Sequence, residues 1–462
     1  MARKLKTYSP IDGSLYVQRE LVGEEQMLEA VLLADKAQDD WALVPLEKKK
    51  HICSLAVECF EEKKELIAEE LCWQMGRPIR YAEGEVSSFA ARARHMISIS
   101  DRCLASNEVD DKPGFKRFIK KCPVGTVAVL APWNYPLHTP INSIIPALLA
   151  GNSVILKHSA QTPLCGERIV EAFADAGLPQ GVLQCLHMSH DTAKTMLEQP
   201  SIKAVTFTGS VEAGKDIEKA CAGRFINLTL ELGGKDPAYI RSDADLEYAV
   251  ESTVDGAFFN SGQSCCGLER IYVHQSIYSA YVERFVELTR EYVLGCSNDQ
   301  ATTLGPVVNA SAAARIRKQI QGAIDSGAKA NIDVTNFPLD QNGTAYLAPQ
   351  VLTNVDHSMS VMRDETFGPV VGIMAVSSDE EAVKLMNDSD LGLSAAIYSN
   401  DLEAATALGE KIETGTFFVN RCDFLDPELV WTGVKNTGRG YSLSVHGFDN
   451  YIQLKSYHIK SI

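Results

Sequence analysis

Short apolar stretches alternate with helical segments through the middle of the chain, and this alternation restricts the fold more than any other feature. Each stretch has the length of a buried strand, and the segments between them have helical spacing. Because strand, helix and strand in succession form a parallel βαβ unit, the pattern predicts an α/β fold. The predicted strands lie at 126–130, 153–156, 182–186, 203–207 and 226–230, and after Gly233 near 270–273, 370–375 and 416–419.

The flanking segments are of other kinds. A turn around residues 9–13 predicts a strand-like hairpin, and segments with helical spacing follow it at 24–43, 46–75 and 82–106. The polar, basic stretch 110–123 alternates from Phe115 onward and predicts a projecting pair of strands, and 451–462 predicts another strand. No low-complexity linker separates these parts, so we expect interlocked domains.

Charge and cysteine content exclude several classes of protein. The 462-residue chain has a net charge of −16 and a pI near 5.2, so no nucleic-acid partner is expected. Its 12 cysteines are scattered without a CxxC pair or Cys/His ligand spacing, which indicates reduced thiols and no metal site. No apolar run approaches ~18 residues and none follows the basic start, so we expect a cytoplasmic enzyme without a membrane span.

The stretch GSVEAGKD at 209–216 matches a nucleotide-triphosphate P-loop in its first seven positions. A P-loop needs a Ser or Thr hydroxyl for Mg²⁺ at the eighth position, and Asp216 there argues against a triphosphate site. The stretch follows the strand at 203–207 and precedes a helix start at 216–222, with Ser210 as a candidate N-cap. Such a turn either directs backbone N–H groups toward a phosphate or is an ordinary capped turn.

Further stretches could carry chemistry. Asn134 in APWNYP is either a donor at a strand end or a turn residue, and Glu231 in TLELGGKDP is either a general base or a capping acid. Cys265 and Cys266 in FFNSGQSCCGLER are either a nucleophile near helix N–H groups or two structural thiols.

The stretch DETFGPVV places Glu365 and Phe367 either at a ligand's edge or at an ordinary strand entry. Read together, these stretches fit one reaction, the oxidation of an aldehyde through a thioester. In that reaction a thiolate adds to the carbonyl, a donor pair stabilises the oxyanion, a hydride leaves to a dinucleotide and a base activates water.

The chain resembles the aldehyde dehydrogenase superfamily over nearly its whole length, from the SPIDG opening to the final strand. The motifs that carry the resemblance occur in the family's order: APWNYP, LKHSAQTP, DAGLPQGV, FTGSVEAG, LELGGK, NSGQSCC, ETFGP and GTFFVN, followed by TGVKNTGRG. The separation of 34 residues between Glu231 and Cys265 is also the family's. The short N-terminus and the C-terminal stretch look like a bacterial succinate-semialdehyde-type branch.

The resemblance implies a role for each motif. Cys265, two residues after the Gln of the Gly-Gln turn, would be the nucleophile, the Asn134 amide and the Cys265 N–H would hold the oxyanion, and Glu231 would be the base for hydrolysis. An NAD or NADP cofactor would contact Trp133, Lys157, Ser159, Ala160, Thr208, Gly209, Ser210, Gly214, Leu232, Glu365 and Phe367. The substrate pocket would be lined by Tyr135, Thr139, Asn142, Phe259, Ser264, Cys266, Phe424, Leu425 and Trp431.

The family's fold has three parts. The resemblance implies a Rossmann-like cofactor domain at 1–104 and 126–232, an α/β catalytic domain at 233–445, and a small bridging sheet for oligomerisation at 105–125 and 446–462. The projecting strands of the bridging sheet imply a homodimer or a homotetramer.

Departures from the family's pattern affect cofactor and substrate. NAD-preferring members often carry a Glu where this chain has Ala160, so we expect use of both NAD and NADP. The two Arg positions of succinate-semialdehyde members are Asn142 and Phe259 here, which predicts a mostly apolar funnel and a medium- to long-chain aliphatic aldehyde. Arg421 is the candidate that would favour the semialdehyde alternative, unless it is a surface residue.

Two further classes of function stay open beside the hydrolytic enzyme. A CoA-acylating relative would pass the thioester to CoA, but such members typically lack the base at Glu231. A protein without catalytic activity on the same fold would not need Cys265, Asn134 and Glu231 together.

Overall fold

The computed structural model describes residues 3–461. Met1 and Ala2 of the predicted domain segment 1–104 and Ile462 of the predicted strand 451–462 lie outside this range. Helices and strands alternate through most of the chain, which confirms the predicted α/β class. The helices are Glu24–Leu43, Leu46–Glu61, Lys64–Met75, Ile79–Leu104, His138–Ala150, Pro163–Asp175, His190–Leu197, Val211–Cys221, Leu246–Phe258, Tyr278–Arg290, Ala310–Asp325, Ser360–Arg363, Asp379–Asn387 and Leu402–Gly409.

The first sheet is parallel apart from one edge. The strand Thr126–Leu130 lies in the interior of this sheet and is buried along its whole length. It pairs in parallel with a strand on either side. The antiparallel edge strand, Gly438–Arg439, comes from much later in the chain. The first sheet is therefore built from segments that precede and follow the second sheet in sequence. The strand order is Gly438–Arg439, Asn227–Glu231, Ile202–Thr208, Thr126–Leu130, Ser153–Lys157 and Leu183–Cys185.

The second sheet follows the first in sequence and is also mainly parallel. Its central strands Leu268–His274 and Val370–Val376 are buried over most of their length, as expected for a parallel sheet covered on both faces. The strand order is Lys329–Ala330, Gln350–Thr353, Val370–Val376, Leu268–His274, Asp236–Ile240, Ser394–Tyr398 and Thr416–Val419.

Three smaller β-structures complete the fold within residues 3–461. Ile452–Lys460 pairs antiparallel with Phe115–Pro123, which also pairs with the short strand Asn107–Glu108. At the start of the chain, Lys4–Tyr8 and Leu15–Glu20 form an antiparallel hairpin, and Leu391–Gly392 pairs with Val434–Lys435 elsewhere.

The N-terminal hairpin contacts both halves of the molecule. The Thr7 hydroxyl donates to the carbonyl oxygen of Ala160 at 2.7 Å, beside the first sheet. The Tyr346 hydroxyl donates to the carbonyl oxygen of Ile11 at 3.1 Å, from the second half of the chain. The hairpin thereby links segments that lie far apart in sequence.

Several sequence-based predictions need correction. The segment 46–75 is two helices, because the charged run from Glu61 to Glu65 has no apolar residue to hold it against the core. Within the stretch 110–123 only Phe115–Pro123 is a strand, and its main partner is the C-terminal strand, so the stretch is not a pair by itself. The helix predicted from residue 216 begins at Val211, directly after the Ser210 cap.

The sequence-based strand predictions also omitted Asp236–Ile240, Gln350–Thr353 and Ser394–Tyr398. These strands are fully buried, but their sequences DPAYI, QVLT and SAAIY contain polar or small residues that weaken the strand signal. Within residues 3–461, no helix combines the length and the apolar character needed to span a membrane.

Candidate active site

One cavity of about 650 Å³ contains all three predicted catalytic residues, Cys265, Asn134 and Glu231. Helices Ile79–Leu104 and His138–Ala150 form one wall, and loops at the ends of strands form the other. The cavity is also lined by every predicted pocket residue, which are Tyr135, Thr139, Asn142, Phe259, Ser264, Cys266, Phe424, Leu425 and Trp431.

Asn134 lies in the loop that follows the buried strand Thr126–Leu130. Its side chain is 7% exposed, and Nδ2 donates to the carbonyl oxygen of Gln263 at 3.3 Å. Its own carbonyl oxygen accepts from Nη2 of Arg77 at 2.7 Å and from Nδ2 of Asn260 at 3.2 Å. Backbone and side chain are therefore both fixed against the loop that carries the cysteines.

Arg77 and Glu85 form a buried ion pair that sequence reasoning missed. A second carboxylate oxygen of Glu85 accepts from the backbone N–H of Leu137 at 2.9 Å, and the Arg77 guanidinium stacks over the Tyr135 ring at 4.6 Å. Burial raises the pKa of Glu85, and the Arg77 charge opposes this rise. The pair holds the Asn134 loop, but its members lie some fifty residues upstream, so no local motif marks it.

The loop before the cysteines has an unusual backbone. Helix Leu246–Phe258 is followed by Asn260, Ser261 and Gly262 with φ values of 53°, 57° and 68°. A Cβ atom on Gly262 would lie 2.2 Å from the carbonyl oxygen of Gly368, so only glycine fits there. Oε1 of Gln263 accepts from the backbone N–H of Val308 at 2.7 Å, which fixes the loop to the second half of the chain.

The two adjacent thiols have different surroundings. Cys265 is half-buried at the cavity surface, whereas Cys266 is 2% exposed. Sγ of Cys266 donates to Oδ1 of Asp423 at 3.0 Å, and the Ser264 hydroxyl donates to the same oxygen at 2.6 Å. Hydrogen bonding with Cys265 and burial raise the pKa of Cys266 well above its usual range. Cys265 is therefore the thiol that a substrate can reach.

Glu231 ends the strand Asn227–Glu231 and faces the same cavity. Burial raises the pKa of its carboxyl group, while Ser442, the Arg92 charge and Thr208 act in the opposite direction. A carboxylate with a raised proton affinity is a stronger base than an exposed one, which suits it to accept a proton from water.

A second group of predicted residues lies around the end of the first sheet. The Ser210 hydroxyl accepts from the backbone N–H of Ala213 at 3.3 Å and caps helix Val211–Cys221. A Cβ atom on Gly214 would lie 2.5 Å from Leu232, so helix and strand approach as closely as a glycine permits. Thr208 ends a strand, Gly209 follows it, and Ser159 and Ala160 follow Ser153–Lys157. Lys215 pairs with Glu212 at the helix surface.

The loop with Glu365 and Phe367 faces this group. The ring of Phe367 meets that of Trp133 edge-on, with centroids 5.5 Å apart. Oε1 of Glu365 accepts from the backbone N–H of Gly234 at 3.1 Å, and burial raises the pKa of Glu365 to about 7. The loop is held by Glu269, which accepts from the backbone N–H groups of Thr366 and Phe367, each at 2.8 Å.

These groups fit a dinucleotide. A capped helix N-terminus directs backbone N–H groups toward a pyrophosphate. Lys157 at a strand end is half-buried, desolvation lowers the pKa of its ammonium group, and it has no salt-bridge partner within residues 3–461. An ammonium group and a carboxyl group can each hydrogen-bond to ribose hydroxyls.

The cavity is also lined by ionisable side chains that sequence reasoning missed, because they lie on separate elements and in no recognisable motif. Besides Arg77 and Glu85, these are Arg80, Arg92, His138, Asp255 and Asp423. Arg421, the predicted source of a cation, is exposed, and its guanidinium stacks over the Phe424 ring at 3.4 Å.

Fold and site together define an α/β oxidoreductase that binds a dinucleotide. The chain belongs to the aldehyde dehydrogenase family, whose sequence model matches residues 1–457. A succinate semialdehyde dehydrogenase [NAD(P)+] of Escherichia coli (strain K12) is 31% identical over 94% of this chain and 93% of that protein. A probable betaine aldehyde dehydrogenase of Schizosaccharomyces pombe is 33% identical over 90% of this chain and 83% of that protein.

Solved structures agree with this assignment. A NADP-dependent glyceraldehyde-3-phosphate dehydrogenase from Bacillus halodurans C-125, complexed with NADP, superposes with a TM-score of 0.93 and 30% identity. The match covers 100% of this chain and 96% of that one. The protein is accordingly an NAD- or NADP-dependent oxidoreductase that acts on an aldehyde.

Proposed function

We propose that this protein oxidises an aldehyde to a carboxylic acid through a thioester on Cys265. The observation that carries the proposal is the meeting of an accessible thiol, a buried amide donor and a half-buried carboxylate in one cavity. The Asp423 hydrogen bond to Cys266 supports Cys265 as the nucleophile.

The proposed reaction uses each group at a different stage. The Cys265 thiolate adds to the aldehyde carbon, and the Asn134 amide donates to the developing oxyanion together with the Cys265 backbone N–H. When bound, the nicotinamide cofactor supplies the hydride acceptor that turns the adduct into a thioester. Glu231 then takes a proton from water, the water attacks the thioester carbon, and the Cys265 thiolate leaves as the acid forms.

Reduced-cofactor formation tests the proposal. Mixing enzyme, cofactor and aldehyde in a stopped-flow instrument should give a burst of reduced cofactor, followed by a steady rate with the free acid as product. Added CoA should change neither the steady rate nor the product, because Glu231 supplies the hydrolytic base. Accumulation of an acyl-CoA would contradict hydrolysis and favour the acylating alternative.

We further propose that both NAD and NADP are used. Ala160 leaves space where a carboxylate would repel a 2′-phosphate, and Lys157 supplies a nearby cation. Initial rates with each cofactor should give kcat/KM values within about a hundredfold of each other. A preference for NAD of several hundredfold would reject dual use.

Two classes of aldehyde are candidates for the substrate. Phe259, Phe424, Leu425 and Trp431 on the lining support the medium- to long-chain aliphatic aldehyde expected from the sequence. The buried Arg92 favours the second candidate, an aldehyde with a distal carboxylate, because an aliphatic chain would leave this guanidinium without a counter-charge. The two candidates differ in charge, and rates with decanal, butanal and succinate semialdehyde separate them.

The oligomeric state is a further proposal. The strand Ile452–Lys460 pairs along one edge only within residues 3–461, and it exposes Leu454 and Ile459. A long strand with a free edge pairs readily with another chain, which supports a homodimer or homotetramer. Light scattering coupled to size-exclusion chromatography should give two or four times 50.5 kDa, and a monomer would reject the proposal.

A further inference from the structure

The helical wall of the cavity contains a buried cation without a counter-ion. Arg92 projects from helix Ile79–Leu104, its side chain is 6% exposed, and it lines the cavity. Within residues 3–461 no carboxylate forms a salt bridge with it, although Arg77 on the same wall is paired with Glu85. A buried charge without a partner is costly, so such a group is retained where a ligand supplies the opposite charge.

The neighbours of Arg92 orient its guanidinium. With its oxygen facing the guanidinium, the Asn142 amide accepts from Nη1 of Arg92 at 3.3 Å. In the same orientation it donates to the carbonyl oxygen of His138 at 2.9 Å. Asn142 is 3% exposed, so this contact is itself shielded from water. Asn142 occupies a position where succinate-semialdehyde members carry an Arg. Here its amide instead positions Arg92, a cation from another helix.

His138 adds an unsatisfied polar atom to the same place. Its Nδ1 is buried without a hydrogen-bond partner among the described residues, and the ring stacks on Tyr135 with centroids 4.8 Å apart. Burial, followed by the charges of Arg92 and Arg77, keeps the pKa of His138 well below its usual range. The ring is therefore neutral at physiological pH and does not compete with Arg92 for a ligand's charge.

The acidic groups around the cavity have partners of their own. Glu85 is held by Arg77 and by the Leu137 amide, and Asp423 accepts from Ser264 and Cys266. Burial raises the pKa of Asp423, and its hydrogen bonds with Ser264 and Cys266 oppose this rise. Asp255 lies on the exposed part of the lining, and Glu231 lies on the opposite wall. None of them forms an ion pair with Arg92.

We propose that Arg92 binds a carboxylate at the distal end of the substrate, which makes a short semialdehyde the substrate class; this deepens the proposed function and rests on it. Arg92 and Cys265 line the same cavity of about 650 Å³, so a substrate with few carbons can place its aldehyde at the thiol and its carboxylate at the guanidinium. Asn142 is the positioning residue that aims Arg92.

The test compares two aldehydes of equal chain length in the full-length enzyme with cofactor. Succinate semialdehyde carries the carboxylate, and butanal lacks it. Wild-type kcat/KM should favour succinate semialdehyde by about 100-fold or more, because a site built around a charged partner rejects the analogue without it. Glyceraldehyde 3-phosphate and 3-sulfopropanal, compared in the same assay, distinguish a carboxylate from other anions.

Substitutions then assign the preference to Arg92. Arg92→Met should lower kcat/KM for succinate semialdehyde by about 100-fold, mainly through KM, and leave butanal within about fivefold, whereas Arg92→Lys should retain part of the preference. Arg94→Met is the matched control, because Arg94 lies two residues away on the same helix, is exposed and pairs with Glu61. Arg94→Met should leave kcat/KM unchanged for both succinate semialdehyde and butanal.

Each outcome decides between the inference and its premise. Equal losses for both aldehydes in Arg92→Met would overturn the proposal and assign Arg92 to the electrostatics of the thiols. A wild-type preference below tenfold would overturn it without any variant, even if Arg92→Met does not fold. Absence of turnover with every aldehyde would instead reject the proposed function.

Discussion

The two walls of the cavity are built in different ways. The wall with Asn134, Glu231 and Cys265 consists of two strand ends and the loop that leads into strand Leu268–His274, and the Asn134 side chain is held there by the backbone carbonyl of Gln263. The wall with Arg77, Glu85, Arg92 and Asn142 consists of two packed helices, where charges meet only through tertiary structure. The comparison separates reaction from recognition: the strand-end wall carries groups for bond making, and the helical wall carries groups that hold and select.

The strongest test of this division removes the nucleophile. Cys265→Ala should lower turnover by about 10⁴-fold or more while cofactor affinity, measured by fluorescence titration, stays within a few-fold of wild type. Cys266→Ser is the control, since its hydroxyl can still donate to Asp423. Greater loss in Cys266→Ser than in Cys265→Ala would reverse the assignment of the two thiols.

The second test separates the steps within the strand-end wall. Glu231→Gln should keep the burst of reduced cofactor and lower the steady-state rate by roughly 10²–10⁴-fold, because the amide cannot take a proton from water. Burial raises the pKa of Glu231, so this base becomes protonated at a higher pH than an exposed carboxyl group does. As the pH is lowered, the wild-type steady rate should therefore begin to fall at that higher pH. Loss of the burst in Glu231→Gln would mean that this residue also acts before hydrolysis.

The third test asks whether the helical wall is structural support. Arg77→Met leaves Glu85 as a buried, unpaired acid and should lower the free energy of unfolding by roughly 3–5 kcal/mol, measured by chemical denaturation. Arg77→Met combined with Glu85→Met removes both charges and should recover most of that loss. If Arg77→Met alone is as stable as wild type, the Arg77–Glu85 pair does not stabilise the Asn134 loop.

The smallest effect is expected on the cofactor side. The folded protein keeps the Glu365 proton up to about pH 7, whereas the unfolded chain releases it near 4.5, so stability falls as the pH rises between these values. Without cofactor, Glu365→Gln should therefore raise Tm relative to wild type by roughly 2–5 °C at pH 8 and little at pH 5. A Tm difference between Glu365→Gln and wild type that is the same at pH 5 and pH 8 would contradict a retained proton on Glu365.

The same contrast explains what the sequence could predict. Asn134, Glu231, Cys265 and the Gly209 turn each lie in a short motif beside a strand, so their type and place could be read locally, and the strands between 126 and 231 followed from apolar runs. Arg92 carries no such mark, because its neighbour Asn142 lies fifty residues away and its burial depends on how two helices pack. The buried strands DPAYI and SAAIY were missed because neighbours across the sheet, and not their own composition, make them strands.

The N-terminal hairpin has a consequence for how the chain is made. Its turn at Ile11 is hydrogen-bonded to Tyr346, 335 residues later in the sequence. A ribosome that adds about 5–20 residues per second needs roughly 20–70 s to reach that tyrosine. The hairpin can therefore complete its contacts only after most of the chain that follows it has been synthesised.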